Sequence, residues 1–403
     1  MEKSVMKKMC WLLLLLMLPQ WAFAQARVVR YVDKKIALDL TGLAAGQGAA
    51  QVFRRTLESD IARSGWLGVA GAGRGEFVLQ GRVDISGSEV VAECQVFESS
   101  SRKSYLNKTY RADSAAVRNL AHKAADEILF ALTGNKGFFG ARLALVGTRT
   151  GSKELYLCDS DGQNLRQLTN DKTVSLSPQW GPDGQTLFYT SYRSKFPDVY
   201  RVDLSSGTRT RIANYPGLNT GGAVSPDGNY VALILSKDGN PELYVKQLSG
   251  GGLTRLTQTL KGAEASPSWS PDGSRIVYVS DQSGTPQIYV VSRSGGTPKR
   301  LTSRGSQNVA PDWGPKGLIA FASLLGGRFQ VCLIDPNTFE TKAISPLDAD
   351  YEDPSWAPDG RHLACTVSRK YRSSVYLLDT MGDPPVALLE SSGDWSAPSW
   401  SPR

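Results

Sequence analysis

A five-residue turn that returns every 43 to 45 residues restricts this chain to very few architectures. Trp180-Gly-Pro-Asp-Gly184 recurs as Val224-Ser-Pro-Asp-Gly228, Trp269-Ser-Pro-Asp-Gly273, Trp313-Gly-Pro-Lys-Gly317 and Trp356-Ala-Pro-Asp-Gly360, and a shortened copy stands at Trp400-Ser-Pro402. Two further markers keep the same beat. One is Leu168-Thr169, Ile212-Ala213, Leu256-Thr257, Leu301-Thr302 and Ile344-Ser345. The other is an aliphatic residue before tyrosine, at Tyr156, Tyr200, Tyr244, Tyr289 and Tyr376, with Gln330-Val331 in its place in the fifth unit. In the turn, Pro presets φ, Asp can bond to the backbone and Gly accepts positive φ. Runs such as Arg275–Ser280 and Gln287–Val291, bounded by Gly and Pro, are strand signals. Four short strands in about 44 residues make one propeller blade, whereas a linear β-solenoid needs a shorter repeat.

The ends fix the number of blades. The first unit, Arg142 to Thr169, carries the second, third and fourth strands but no preceding Trp-x-Pro-Asp-Gly strand. Residues 396–403 supply that strand and nothing after it. Five internal units plus one assembled from both ends predict an all-β six-bladed propeller of WD40-like repeats over 139–403, closed by 396–403.

Residues 25–138 predict a small α/β domain with a mixed sheet and two helices. Lys35–Leu40, Phe77–Asp84, Val90–Phe97 and Ser104–Tyr110 alternate as strands. Ala50–Arg63 places Phe53, Leu57 and Ile61 on one helical stripe, and a second helix follows a cap at Asp113 or Ser114 and ends before Gly134. His122 lies beside its apolar face and is expected to be a packed helix residue rather than a ligand. Gly71-Ala-Gly-Arg-Gly75 lacks the Gly-Lys-Ser/Thr ending of a phosphate loop and is expected to be a turn.

Residues 1–24 have the form of a cleaved export signal: Lys3, Lys7 and Lys8, a leucine-rich block to Leu18, Pro19, and small residues at Ala22 and Ala24, with cleavage expected after Ala24. Loss of that segment lowers the formal charge from +8 to +6. The remaining excess is spread along the chain, so no nucleic-acid footprint is expected. No later stretch is long and apolar enough to span a membrane. Two histidines argue against a multi-histidine metal enzyme. Cys94, Cys158, Cys332 and Cys365 sit in apolar alternating runs without a Cys-x-x-Cys pair and are expected to be buried free thiols. No cofactor or metal is expected, because the repeated Asp residues are turn chemistry.

In its order of parts the chain resembles the TolB family. The resemblance covers the whole chain after residue 24. It rests on Ala121-His-Lys-Ala-Ala-Asp-Glu-Ile128, Leu132-Thr-Gly-Asn-Lys-Gly137, Ser280-Asp-Gln-Ser-Gly-Thr-Pro-Gln-Ile-Tyr289 and Pro398-Ser-Trp-Ser-Pro402. It implies a monomeric periplasmic binding protein of the Tol–Pal system, with a role in outer-membrane invagination during division and in outer-membrane integrity. The peptidoglycan-associated lipoprotein would bind one mouth of the propeller. By correspondence, its site falls in the loops leading into the inner strands: Leu218, Asn219, Thr220 and Gly221; Glu264, Ala265 and Ser266; Asn308, Val309 and Ala310; Glu352 and Asp353. The chain departs from the family at Leu218, where a polar residue is frequent, and at Ala265, where a hydroxyl residue is. An arm of Gln25, Ala26, Arg27, Val28, Val29, Arg30, Tyr31, Val32, Asp33 and Lys34 would engage the inner-membrane partner TolA. Its alternation equally suits an ordinary first strand.

Convergence of inner strands on an axis gathers distant side chains into one concave patch, which Glu264, Glu352 and Asp353 would make acidic. A solvated rim is the plain alternative. Catalysis is not expected: no Gly-x-Ser-x-Gly elbow is present, and the N-terminal part is too short for the hydrolase domain of propeller peptidases. A scaffold or sensor for other partners, and a propeller hydrolase acting on a sugar or lactone, are the competing readings.

Overall fold

The computed structural model describes residues 34–389 and 393–402. Its N-terminal domain is a five-stranded mixed sheet. In chain order the elements are β1 (Ile36–Ala45), α1 (Ala49–Arg63), β2 (Leu67–Ala70), β3 (Phe77–Ser86), β4 (Glu89–Glu98), β5 (Ser104–Asp113) and α2 (Val117–Thr133). The sheet order is β2-β1-β3-β4-β5, parallel across β2-β1-β3 and antiparallel from β3 onward. Strand β2 was not anticipated from the sequence; it has only four residues and pairs with β1 alone. The anticipated stripe of α1 is buried, with Phe53, Leu57 and Ile61 at most 1% exposed. Asp113 accepts the Ala115 N–H at 2.9 Å and opens a single 3-10 turn before α2. Gly134 ends α2 at φ 69°, a left-handed cap that glycine adopts without a Cβ penalty. The Gly71–Gly75 segment is a turn held by the Gly73 N–H donating to Asp39 Oδ2 at 2.7 Å.

Six four-stranded antiparallel sheets follow. Five are continuous in sequence, over 175–213, 219–255, 264–300, 308–343 and 350–389. The remaining one, the first blade, joins the inner strand Trp395–Trp400 to strands between 142 and 167. Neighbouring inner strands touch one another all the way round, so the ring is closed.

Each repeated marker has a structural task. Turn aspartates accept backbone N–H groups two residues on, as Asp183 from Gln185 (2.9 Å), Asp272 from Ser274 (3.0 Å) and Asp359 from Arg361 (2.9 Å). Trp180, Trp269 and Trp356 donate their indole N–H to a carbonyl on the preceding blade's inner strand: Ser399 at 2.9 Å, Ala223 at 2.9 Å and Asp312 at 3.2 Å. The Trp180 bond crosses the closing seam. The hydroxyls of Thr169, Thr257, Thr302 and Ser345 accept N–H groups of the third strand at 2.8 to 3.0 Å, which satisfies backbone that the short fourth strand leaves unpaired. All four described cysteines are free and buried, and burial pushes the Cys332 thiol up to about 11.

The N-terminal domain is fastened to the propeller through residues 135–141. Asp126 on α2 accepts the N–H groups of Phe139 (3.2 Å) and Gly140 (3.1 Å). Phe138 is fully buried, 4.7 Å from the His362 ring and 5.5 Å from Trp400. Arg361, in the turn after the inner strand Asp350–Trp356, lies 4.6 Å over Trp66 and pairs with Asp379 at 2.6 Å. A Cβ at Gly65 would fall 2.6 Å from Arg361 Cζ, so the close approach needs glycine there.

Candidate functional site

Strand direction decides which loops share a face. The first residue of an inner strand pairs at or near the end of the second strand: Glu264 with Ser280, Asn219 with Leu235, Asn308 with Ser323, and Trp395 with Gly147. Segments leading into inner strands therefore lie at the same end as the hairpins between second and third strands. The Pro-Asp-Gly turns occupy the opposite end, where the N-terminal domain sits.

At the mouth end the six inner strands repeat one irregularity. Each pairing register shifts in mid-strand. At the shift stands a residue with positive φ: Ser177 (51°), Gly221 (93°), Ser266 (48°), Ala310 (49°), Asp353 (47°) and Ala397 (48°). In five blades a proline follows directly. Left-handed backbone is costly for residues with a Cβ and is held only where the surroundings impose it. The ring of bulges encloses a cavity of about 200 Å³ along the axis, lined by these residues, their prolines, Thr220, Ala265, Asp312 and Ser355 among others. Around it the hairpins and loops expose Tyr192, Phe196, Leu260 and Tyr371, the last two at least 98% exposed.

The structure brings part of the expected set together. Thr220, Gly221, Ala265, Ser266, Ala310 and Asp353 line the cavity. These lie on the strands themselves, not in loops as expected, because the inner strands begin at Asn219, Glu264, Asn308 and Asp350. Leu218 and Val309 are half-buried and pack against apolar clusters. Asn219 and Asn308 are fully buried and do structural work. Asn219 accepts the Tyr215 N–H at 2.8 Å and donates to the Tyr215 and Gly217 carbonyls, while Asn308 donates to Gln287 and the Arg304 carbonyl.

The expected acidic rim needs correction at Glu264. Its side chain is 2% exposed, one carboxylate oxygen accepts Ser280 Oγ at 2.9 Å, and burial pushes its pKa up to about 7. It is a buried, partly protonated group rather than a surface charge. Glu352 and Asp353 are both half-exposed and are also raised, chiefly by burial. Asp312 was missed. Its carboxylate bridges neighbouring blades, accepting Ser268 Oγ at 3.1 Å and the Trp356 N–H at 2.8 Å, and burial raises it to about 6. The signal for the bulge ring was present in the sequence as the recurring residue-Pro pair two places before tryptophan. Of the arm, Lys34 is exposed; residues 25–33 and the cleavage position Ala24 lie outside the described residues.

Residues 130–403 match the family model described as the TolB beta propeller domain. The chain belongs to the TolB family. It is 35% identical over 335 residues to the Tol-Pal system protein TolB of Gluconobacter oxydans, covering 79% of this chain and 73% of that one. With the TolB of Desulfosudis oleivorans it shares 34% identity over 184 residues, 46% of this chain, and spans 42% of that relative's length. A crystal structure of TolB from Acinetobacter baumannii superposes with TM-score 0.82 at 26% identity, covering 92% of this chain and 98% of that chain. The TolB likeness therefore extends through both domains.

Proposed function

We propose that this chain is an exported, non-enzymatic component of the Tol–Pal system that binds the peptidoglycan-associated lipoprotein at the propeller mouth. Its arm, Gln25 to Lys34, would engage TolA, and the pair of contacts would serve outer-membrane invagination during division and envelope integrity. The observation that carries the reading is the two-domain likeness to TolB proteins, whose names place them in the Tol-Pal system. The mouth agrees with it: an open cavity with exposed aromatic residues at its rim suits a protein ligand, since aromatic side chains supply most hot-spot energy in such contacts. Export follows from the signal-like residues 1–24, and no helix among the described residues is long and apolar enough to cross a membrane.

Calorimetry with the lipoprotein's soluble domain tests the assignment. Ala265 is exposed on the cavity wall, so Ala265→Arg fills the mouth without disturbing the core. We expect it to weaken lipoprotein binding at least 10-fold with an unchanged melting temperature. Removal of residues 25–34 should abolish TolA capture and leave lipoprotein binding measurable. Wild-type protein that binds neither partner would overturn the reading in favour of a scaffold for other ligands.

A further inference from the structure

The face of the propeller that meets the N-terminal domain holds a second cluster unrelated to the mouth. His122 on α2 is 1% exposed. Its Nδ1 lies 2.6 Å from Asp60 Oδ2, a carboxylate on α1 that is itself fully buried. In the neutral ring that donates its Nδ1 proton to Asp60, the lone pair stands on Nε2. Nε2 is buried and has no hydrogen-bond partner. It points across the domain junction toward Asp159 Oδ2, 4.0 Å away and too far for a hydrogen bond. Asp161 completes the group, and one ligand atom from each of His122, Asp159 and Asp161 lies within 4.8 Å of the others.

We propose that these three side chains form an interdomain site for a divalent transition cation of the zinc type. One imidazole and two carboxylates are a suitable donor set for Zn²⁺, with water in the fourth position. A tetrahedral site with bonds of about 2.1 Å separates its donors by about 3.4 Å, so the 4.0 Å gap between His122 and Asp159 needs only a small closure. The Asp60 carboxylate behind the imidazole is the outer-shell partner that metal-ligating histidines ordinarily have. Asn164 Nδ2, 2.6 Å from Asp159 Oδ2, orients the second ligand.

The neighbouring guanidiniums set the competition for the site. Asp60 pairs with Arg63 at 2.8 Å, Arg118 pairs with Asp161 and lies 3.8 Å from Asp159, and Asp159 also feels the charge of Arg142. Arg118 competes for Asp161, so metal binding displaces or shares that ion pair. The ligands come from α2 and from the first blade, and the bound ion would clip the two domains together.

Tag-free protein stripped with EDTA and titrated with ZnCl2 in a calorimeter provides the test. One equivalent should bind with a dissociation constant below about 10 µM, and the melting temperature should rise with zinc. Asp159→Asn and Asp161→Asn should each weaken binding at least 10-fold. Crystals grown with ZnCl2 should show an anomalous peak within bonding distance of His122 Nε2; this readout stands even if a variant folds poorly. No saturable binding by the wild type up to 100 µM zinc overturns the proposal. So does undiminished binding in both variants, or a peak only at His362.

Discussion

The two ends of the same inner strands are built on opposite terms. At the turn end Asp183, Asp227, Asp272 and Asp359 are all held below the usual carboxylate range. For Asp227 and Asp272 the leading cause is a serine hydroxyl, Ser225 and Ser270; for Asp183 and Asp359 burial opposes ionisation first and is outweighed, by backbone N–H groups and by His362 respectively. At the mouth end Glu264, Asp312, Glu352 and Asp353 are all raised, with burial the largest cause. At the turn end Asp183, Asp227 and Asp272 are exposed and accept hydrogen bonds from their own turns. The mouth end keeps left-handed non-glycine residues, under-solvated acids and exposed aromatics. Left-handed residues with a Cβ and acids raised by burial recur together around the mouth, and the rest of the fold supplies the stability that tolerates them.

The most severe way to probe that contrast removes a strand that contributes to both ends. Trp395–Trp400 places Ala397 in the bulge ring. At its other end Ser401 donates its N–H to the Arg142 carbonyl at 2.8 Å, while its Oγ accepts the Arg142 N–H at 2.9 Å. Trp400 is 6% exposed, and the strand carries the carbonyl that accepts the Trp180 indole across the seam. We predict that deleting residues 396–403 lowers the melting temperature by at least about 10 °C in calorimetry. Truncating one buried tryptophan alone costs about 3–5 kcal/mol. An unchanged melt would mean that the ring does not depend on this strand.

A smaller effect separates the ends by pH. Glu264 is raised from 4.5 to about 7 in the folded protein. Its stabilising contribution is complete below pH 4.5 and is lost as pH rises toward and past 7. Asp359, lowered from 3.8, contributes the other way: its stability is present above pH 3.8 and lost as pH falls through its folded value. Glu264→Gln should therefore match the wild type near pH 4.5 and exceed it by about 1–3 kcal/mol at pH 8, by urea titration at both pH values. Asp359→Asn should cost stability at pH 8. Equal pH profiles for wild type and Glu264→Gln would show that the mouth acids are not strained.

This division was only half legible in the sequence. Repeats with period 44 reveal blades because each blade must satisfy the same backbone with the same turn, and the missing inner strand before Arg142 revealed the closure. Glu264 looked like a rim charge because its position in the strand was readable but its depth was not. Burial depends on Ser280 and on the blade behind it. The His122 cluster was illegible for a related reason: Asp60, His122 and Asp159 come from three stretches with no common spacing, and only the docking of α1 and α2 against the first blade assembles them.

The mildest test acts on backbone alone. Ala310 holds φ 49° with a Cβ, next to Pro311, in the wall of the mouth. Glycine at this position removes the left-handed penalty but gives the unfolded chain more freedom, so the two effects nearly cancel. We predict that Ala310→Gly changes stability by no more than about 1 kcal/mol, on the stabilising side, while loosening the mouth and weakening lipoprotein binding about 2- to 5-fold by calorimetry. The same substitution at Phe339, also left-handed (63°) but in the turn between the third and fourth strands at the far end of its blade, should leave binding unchanged. Equal binding losses at both positions would remove the special role assigned to the bulge ring, because general loosening of the blades would then suffice.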